Sequence, residues 1–266
     1  GDHRDLHSFP TRRSSDLTLK KSGSDGSGFL YLESLGHHII DLVPGLIGLK
    51  GKQSFFADIA GIRADVKVDL YIESTHVCSE QGELQLTNYG ISGIPVFQLS
   101  RVAARALSEQ KKVYATLNFV PLWEKEQCLT YFKERFKKAD EKHIGEALIG
   151  FFPEKLIPVL LEESHIKAAK YANRLQTEEL ERFIDTVQGL RVDITDWNTF
   201  DTAQVTAGGV DTDEIDAETM ESKLCPGLYF AGEMVDIDGI CGGYNLQWAW
   251  SSGAVAGKNA AKEEKN

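Results

Sequence analysis

The 266 residues carry 29 Lys and Arg against 40 Asp and Glu, a formal charge of −11 with a pI near 5.2, so no global positive field gathers phosphate backbones or anionic lipid, and nucleic acid is disfavoured as a partner. Hydrophobic residues make up 42% and charged ones 26%, which excludes disordered, collagen-like and coiled-coil classes. Cys78, Cys128, Cys225 and Cys241 form no C-x-x-C pair and suggest neither a disulfide framework nor a zinc ribbon, while a mean hydropathy of −0.26 and the lack of a long apolar run predict no membrane span; the expected location is cytoplasmic.

Gly1 to Leu17 has neither helical nor alternating periodicity and reads as a disordered arm. It also looks like an in-frame translated sequencing adapter, to be set aside from fold reasoning. A Gly-rich loop, Gly23 to Gly28, then leads into a short helix with apolar Phe29, Leu32 and Leu35, stopping at Gly36. Pro44 and Gly45 interrupt the next apolar run, and a domain boundary is expected near residue 47. From Ile59 to about Thr87, Val66, Val68, Leu70 and Ile72 alternate, predicting antiparallel sheet with a turn at Gly82-Glu83. Pro95 to Ser108 reads as a helix with proline in its first turn, and the segment from Lys111 to Phe119 as a strand. Helices are predicted at 123–138, 141–150, 154–164 and 177–188. Strands return after Gly189 and before Val210, followed by a turn at Asp211 to Asp213, a buried strand at Leu228 to Ala231 and one last helix.

Chemistry concentrates in the last forty residues. The predicted strand delivers Gly232-Glu233 beside a Gly242-Gly243 turn that opens a helix, the usual arrangement for a nucleotide cofactor at the carboxyl end of an α/β sheet. Glu233 can accept from a sugar or ribityl hydroxyl, and the N–H groups after Gly242 and Gly243 can face an electron-rich carbonyl. The combination suits a flavin, whose reduced form gathers negative charge that a helix dipole stabilises. A glycine-rich turn with a capping carboxylate is the alternative. In the final helix Ala249, Gly253, Ala256 and Ala260 form a small-residue stripe suited to packing on a sheet, and at least one of Trp248 and Trp250 is expected in the core. His37-His38 beside Asp41 reads as a helix-end pair rather than as metal ligands, and Cys241 as packing. No esterase, zincin or P-loop pattern is present.

The run Gly227 to Glu233, with Asp236, Asp238-Gly239 and Gly242-Gly243-Tyr244-Asn245-Leu246-Gln247-Trp248, resembles the C-terminal signature of the aminoacetone oxidase or BaiN/YhiN-like flavoproteins, bacterial NAD(P)/FAD-dependent oxidoreductases. Gly23 to Gly28 with Leu35-Gly36-His37, Gly82-Glu83 with Thr87 to Gly93, and Thr206 to Val210 agree with the same pattern. The resemblance implies an α/β fold: part of a glutathione-reductase-like FAD-binding domain with an inserted β-barrel and helical subdomain. The implied layout is FAD-domain segments at 18–46 and 199–266 and an insertion, the substrate domain, at 47–198. Within the insertion the barrel occupies 47–120 and 190–198 and the helical part 121–189. It further implies FAD held by Gly26, Thr206, Gly208, Gly209, Gly232, Glu233, Asp238, Gly239, Gly242, Gly243, Tyr244, Asn245 and Leu246, with Gly242 to Leu246 at the pyrimidine edge and Thr206 to Gly209 near the ring. NAD(P)H is the implied hydride donor, through FAD, to a small organic substrate, with oxidation of that substrate by oxygen as the other implied course. The family's opening G-x-G-x-x-G/A turn is missing, because GSDGSG has the wrong spacing and follows no strand, so the chain is expected to be a fragment. No catalytic acid or base stands out. The competing expectation is a non-catalytic nucleotide-binding or interaction module.

Overall fold

The computed structural model describes residues 26–263. The adapter-like stretch and Gly23 to Asp25 of the predicted loop lie outside them. The chain divides into two compact units, one formed by residues up to 42 with 199–239 and 244–266, the other by 43–198 with 240–243.

The second unit is built on a closed six-stranded barrel in the order β2-β5-β4-β3-β6-β7, with β2 at Leu49–Gly51, β3 at Arg63–Ile72, β4 at Thr75–Leu86, β5 at Gly90–Gly93, β6 at Val113–Asn118 and β7 at Leu190–Trp197. Alternation dictates which side faces inward: Val66, Val68 and Leu70 of β3 and Val113, Ala115 and Leu117 of β6 are buried, while Lys67, Asp69 and Tyr71 stand between them on the outer face. The turn predicted at Gly82-Glu83 lies elsewhere. Gly82 sits inside β4 opposite Val66, and the hairpin closes at Glu73 and Ser74, both at positive φ (49° and 71°). Two left-handed residues match the twist of a two-residue hairpin, a conformation usually signalled by Asn or Gly and here adopted without them.

Helix α3 (Ile94–Ser108) has Pro95 in its first turn and buries Val96, Leu99, Ala103 and Ala106 in the barrel's core. Between β6 and β7 lie α4 (Lys125–Lys138), α5 (Ile144–Leu148), α6 (Leu156–Glu163) and α7 (Thr177–Gly189). Phe132 of α4 meets Phe183 of α7 edge-on at 5.5 Å and Phe151 at 4.9 Å, an arrangement favoured by the ring quadrupoles. A four-residue helix α2 (Phe56–Ile59) follows β2.

The first unit has a smaller core of Leu32, Val210, Ile215, Met220, Phe230, Val235 and Ala256. Its elements are α1 (Ser27–Ser34), the beginning of β1 (Ile39–Gly45), β8 (Val205–Val210) and α8 (Tyr244–Glu263). β1 pairs with β8. The predicted strand at Leu228 to Ala231 joins no ladder: its one bridge is Tyr229 with Glu221, although Phe230 is buried and its N–H donates to Met220 O. The Leu228 C=O is taken up by the Ser222 N–H, so 220–222 is its backbone neighbour, but the pairing is one bridge long and makes no ladder; β1 and β8 are the laddered strands of this unit among the described residues.

Candidate functional site

Segment 232–239 is fastened to one face of α8. Gly232 (φ 63°) donates its N–H to Ser252 Oγ at 2.9 Å and accepts from Trp248 Nε1 at 3.1 Å. Gly239 donates its N–H to Asn245 Oδ1 at 2.7 Å and accepts from Asn245 Nδ2 at 2.9 Å. Asn245, Trp248 and Ser252 are spaced three and four apart, so one stripe of the helix supplies all four bonds. Both contact points suit glycine. A Cβ on Gly239 would lie 2.9 Å from Tyr244 Cβ, and one on Gly232 would meet Ala249 Cβ at 3.6 Å while the left-handed φ would strain it. Trp248 packs against the core, whereas Trp250 is exposed.

The other predicted site residues fall into three groups. Thr206, Gly208 and Gly209 are buried in β8. Gly208 (φ 102°) approaches β1 so closely that a Cβ would lie 2.4 Å from Asp41 O, and a Cβ on Gly209 would lie 2.8 Å from Met234 O. Asp236 N–H donates to Val210 O at 3.0 Å, which ties the end of β8 to the segment after Glu233. Glu233 is exposed and Asp238 half-buried, while Gly26 (φ 74°) precedes α1 and accepts from Phe29 N–H. A Cβ on Gly28 would meet Met234 Cε at 3.3 Å, so the first turn of α1 lies beside the 232–234 turn. Gly242 (φ 128°) and Gly243 (φ 92°) lead into α8, with nothing within 4 Å of the position a Gly243 Cβ would take. Tyr244 and Leu246 are exposed. Gly242 and Gly243 group with the second unit, the other predicted site residues with the first.

A flavin is a flat ring system with a polar tail, and the 232–246 region offers matching features. Gly243 leaves open space before a helix N-terminus, and Glu233 presents an exposed carboxylate. The Asn245 carboxamide is engaged on both polar groups of Gly239. Trp248 and Ser252 enter as residues that hold the site together. Their signal in the sequence is helical spacing from Asn245, which becomes meaningful only once the glycines opposite are known.

His37 is buried, its ring 5.1 Å from Phe230 and edge-on to it. Its Nδ1 lies 2.7 Å from Glu214 Oε2 and its Nε2 3.0 Å from Ser222 Oγ, which also accepts from the N–H groups of Leu224 and Cys225. The exposed His38 ring instead approaches Asp211 Oδ2 at 3.3 Å, while the His38 N–H donates to Glu214 at 3.1 Å, so the adjacent rings have separate partners and Glu214 serves both residues. The Asp213 N–H and then His38 hold the Asp211 carboxyl below its ordinary range, and the N–H groups of Thr219 and Glu218 do so for Asp216. Among the described residues no cluster of three or more His, Cys, Asp or Glu could hold a metal ion, and no helix is long and apolar enough to cross a membrane.

Residues 15–259 match the model of the HI0933-like protein Rossmann domain. The chain belongs to this family. A 3-dehydro-bile acid delta(4,6)-reductase of Clostridium scindens is 45% identical over 243 residues, covering 91% of this chain and 59% of the reductase. Two ribosomal RNA dihydrouridine synthases, from Escherichia coli and Haemophilus influenzae, are 28% and 29% identical, each over 89% of this chain and 56% of the synthase. The HI0933-like chain thus spans less than three fifths of the length of these curated relatives. The family match gives a mixed α/β Rossmann-like domain, which stands in this chain beside a closed six-stranded barrel.

Proposed function

We propose that this HI0933-like chain forms part of an FAD-dependent oxidoreductase that reduces a carbon–carbon double bond conjugated to a carbonyl in a small organic substrate, with NAD(P)H as the source of hydride. The observation that carries the reading is the glycine-bearing 232–245 segment, laced to α8 and leading into its open N-terminus. The names of the relatives support the chemistry: a delta(4,6)-reductase of a 3-dehydro acid and a dihydrouridine synthase both saturate such a bond. The charge of −11 favours a small molecule over a nucleic acid.

FAD, when bound, supplies the hydride chemistry. The residues of this chain bind and orient it. Gly242 to Leu246 would hold the pyrimidine edge at the positive end of the α8 dipole, which suits a group that gathers negative charge. Glu233 accepts from hydroxyls of the ribityl chain. Gly208 and Gly209 let β8 pack closely at its neighbours and so set where Thr206 and the 232–236 segment stand. The barrel and helical part are the proposed substrate domain.

The test is an FAD titration followed by absorbance. It is done on the chain alone and on the chain fused to the part of the C. scindens reductase that it does not span. Flavin bands that bleach with NADH or NADPH, and recover on adding a conjugated enone, are expected from the fusion at least. Bands that recover only with a uridine-containing RNA would replace the small-molecule substrate by an RNA base. A folded, colourless fusion that takes up no FAD would overturn the flavin reading in favour of a non-catalytic module.

A further inference from the structure

We propose that Asn245 is a positioning residue for the cofactor: its carboxamide locks Gly239 and thereby fixes the backbone that enters α8 through Gly242 and Gly243. The proposal rests on the flavin reading above and adds to it the residue that sets the geometry. A primary amide presents one acceptor and donors side by side, and a peptide presents one N–H and one C=O. Asn245 satisfies both groups of a single residue, at 2.7 and 2.9 Å. It stands in the first turn of α8, six residues after Gly239, so the two bonds close a short loop at its neck. That loop contains two glycines at positive φ and is held at its middle by the Cys241 N–H, which donates to Gln98 Oε1 at 2.8 Å; the Asn245 clamp fixes its two ends. Any side chain at 239 would also crowd Tyr244 Cβ, which makes Gly239 and Asn245 a matched pair.

The chemistry of the clamp suggests a direct test, Asn245→Asp beside Asn245→Ala. A carboxylate can accept from the Gly239 N–H but repels the Gly239 carbonyl, whereas a protonated carboxyl accepts and donates as the amide does. In the 266-residue chain without ligand, the Gly239 amide is followed by NMR and hydrogen exchange. Asn245→Ala is expected to speed its exchange at least about tenfold, the effect of losing roughly 1.4 kcal/mol of protection. Expressed as protection relative to the intrinsic exchange rate at each pH, Asn245→Asp should match the alanine variant at neutral pH and return toward the parent in acid, while the parent's Gly239 protection stays unchanged across that range. FAD affinity, read by quenching of flavin fluorescence in the chain and in the fusion described above, should follow the same order, about tenfold weaker for both variants at neutral pH and recovering in acid for the aspartate alone.

Unchanged Gly239 exchange in Asn245→Ala would overturn the clamp. Faster exchange with parental FAD affinity would leave a structural clamp and overturn the positioning role. A parent that binds no FAD in either form would overturn the flavin reading and the positioning role with it, while the ligand-free measurements still decide whether the clamp exists.

Discussion

Gly208 and Gly253 both lie inside regular elements, yet replacing them should have opposite effects. Gly208 holds φ 102° with Asp41 O where its Cβ would go, so Gly208→Ala must move a strand and is expected to cost on the order of 2 kcal/mol or more, read as a lower urea midpoint. Gly253 lies within α8 with nothing near its Cβ position, and Gly253→Ala should stabilise by about 0.5–1 kcal/mol through lower unfolded-state entropy, read as a higher midpoint. A second residue-scale prediction concerns Ser222. Its hydroxyl meets the buried His37 ring and accepts from two part-buried backbone N–H groups, so Ser222→Ala orphans the buried His37 Nε2 and should destabilise by about 1–3 kcal/mol in the same assay. Glu214 completes this network from the ring's other nitrogen. At this scale the sequence is only partly readable. The glycines stand out, but whether one yields to a ligand, a strand or nothing depends on contacts made far along the chain, as Asp41 and Gly208 show.

The elements themselves follow from periodicity wherever each side chain's surroundings are local. The alternation of β3 and the helical stripes of α3, α4 and α7 are found where the pattern places them. The two misplacements share a cause in what lies outside the local window. The hairpin turn uses Glu73 and Ser74 without glycine or asparagine, and Leu228 to Ala231 meets the backbone of Met220 to Ser222 through a single antiparallel bridge, too short a pairing to make a laddered strand. The lacing of α8 was hidden for the same reason, since Asn245, Trp248 and Ser252 answer to glycines on another segment. Helix α7 carries a pH prediction. Glu179 receives Lys170 Nζ at 2.5 Å and the Gln176 N–H at 2.8 Å, and Lys170 first, then that N–H, hold its carboxyl below the ordinary range. A carboxyl lowered in the folded state stabilises above its unfolded pKa, and that contribution is lost as pH falls through the folded value. Chemical denaturation of the parent and Glu179→Gln should therefore show a gap in favour of the parent at neutral pH that closes on acidification; a gap constant with pH would contradict it.

On the scale of the whole molecule, charge and apolar surface pull in different directions. The charge of −11 keeps copies apart, while Trp250 (66% exposed) and Tyr244 (59%) on α8 and Leu30 and Tyr31 on α1 present large apolar side chains to solvent. Trp250→Ser is expected to lower the weight-average mass measured by light scattering in high salt, where repulsion is screened, and to change it little in low salt. The barrel offers a contrast, because closure leaves it no free strand edge. Its first and last strands are also neighbours: Leu49 of β2 pairs with Trp197 of β7, and Asn198 N–H donates to Gly48 O at 2.9 Å. The polypeptide therefore enters and leaves the barrel through adjacent points. A segment with its two ends side by side behaves as a transplantable cassette: a short linker can bridge the gap it leaves, and other hosts can receive it at a surface loop without being stretched apart.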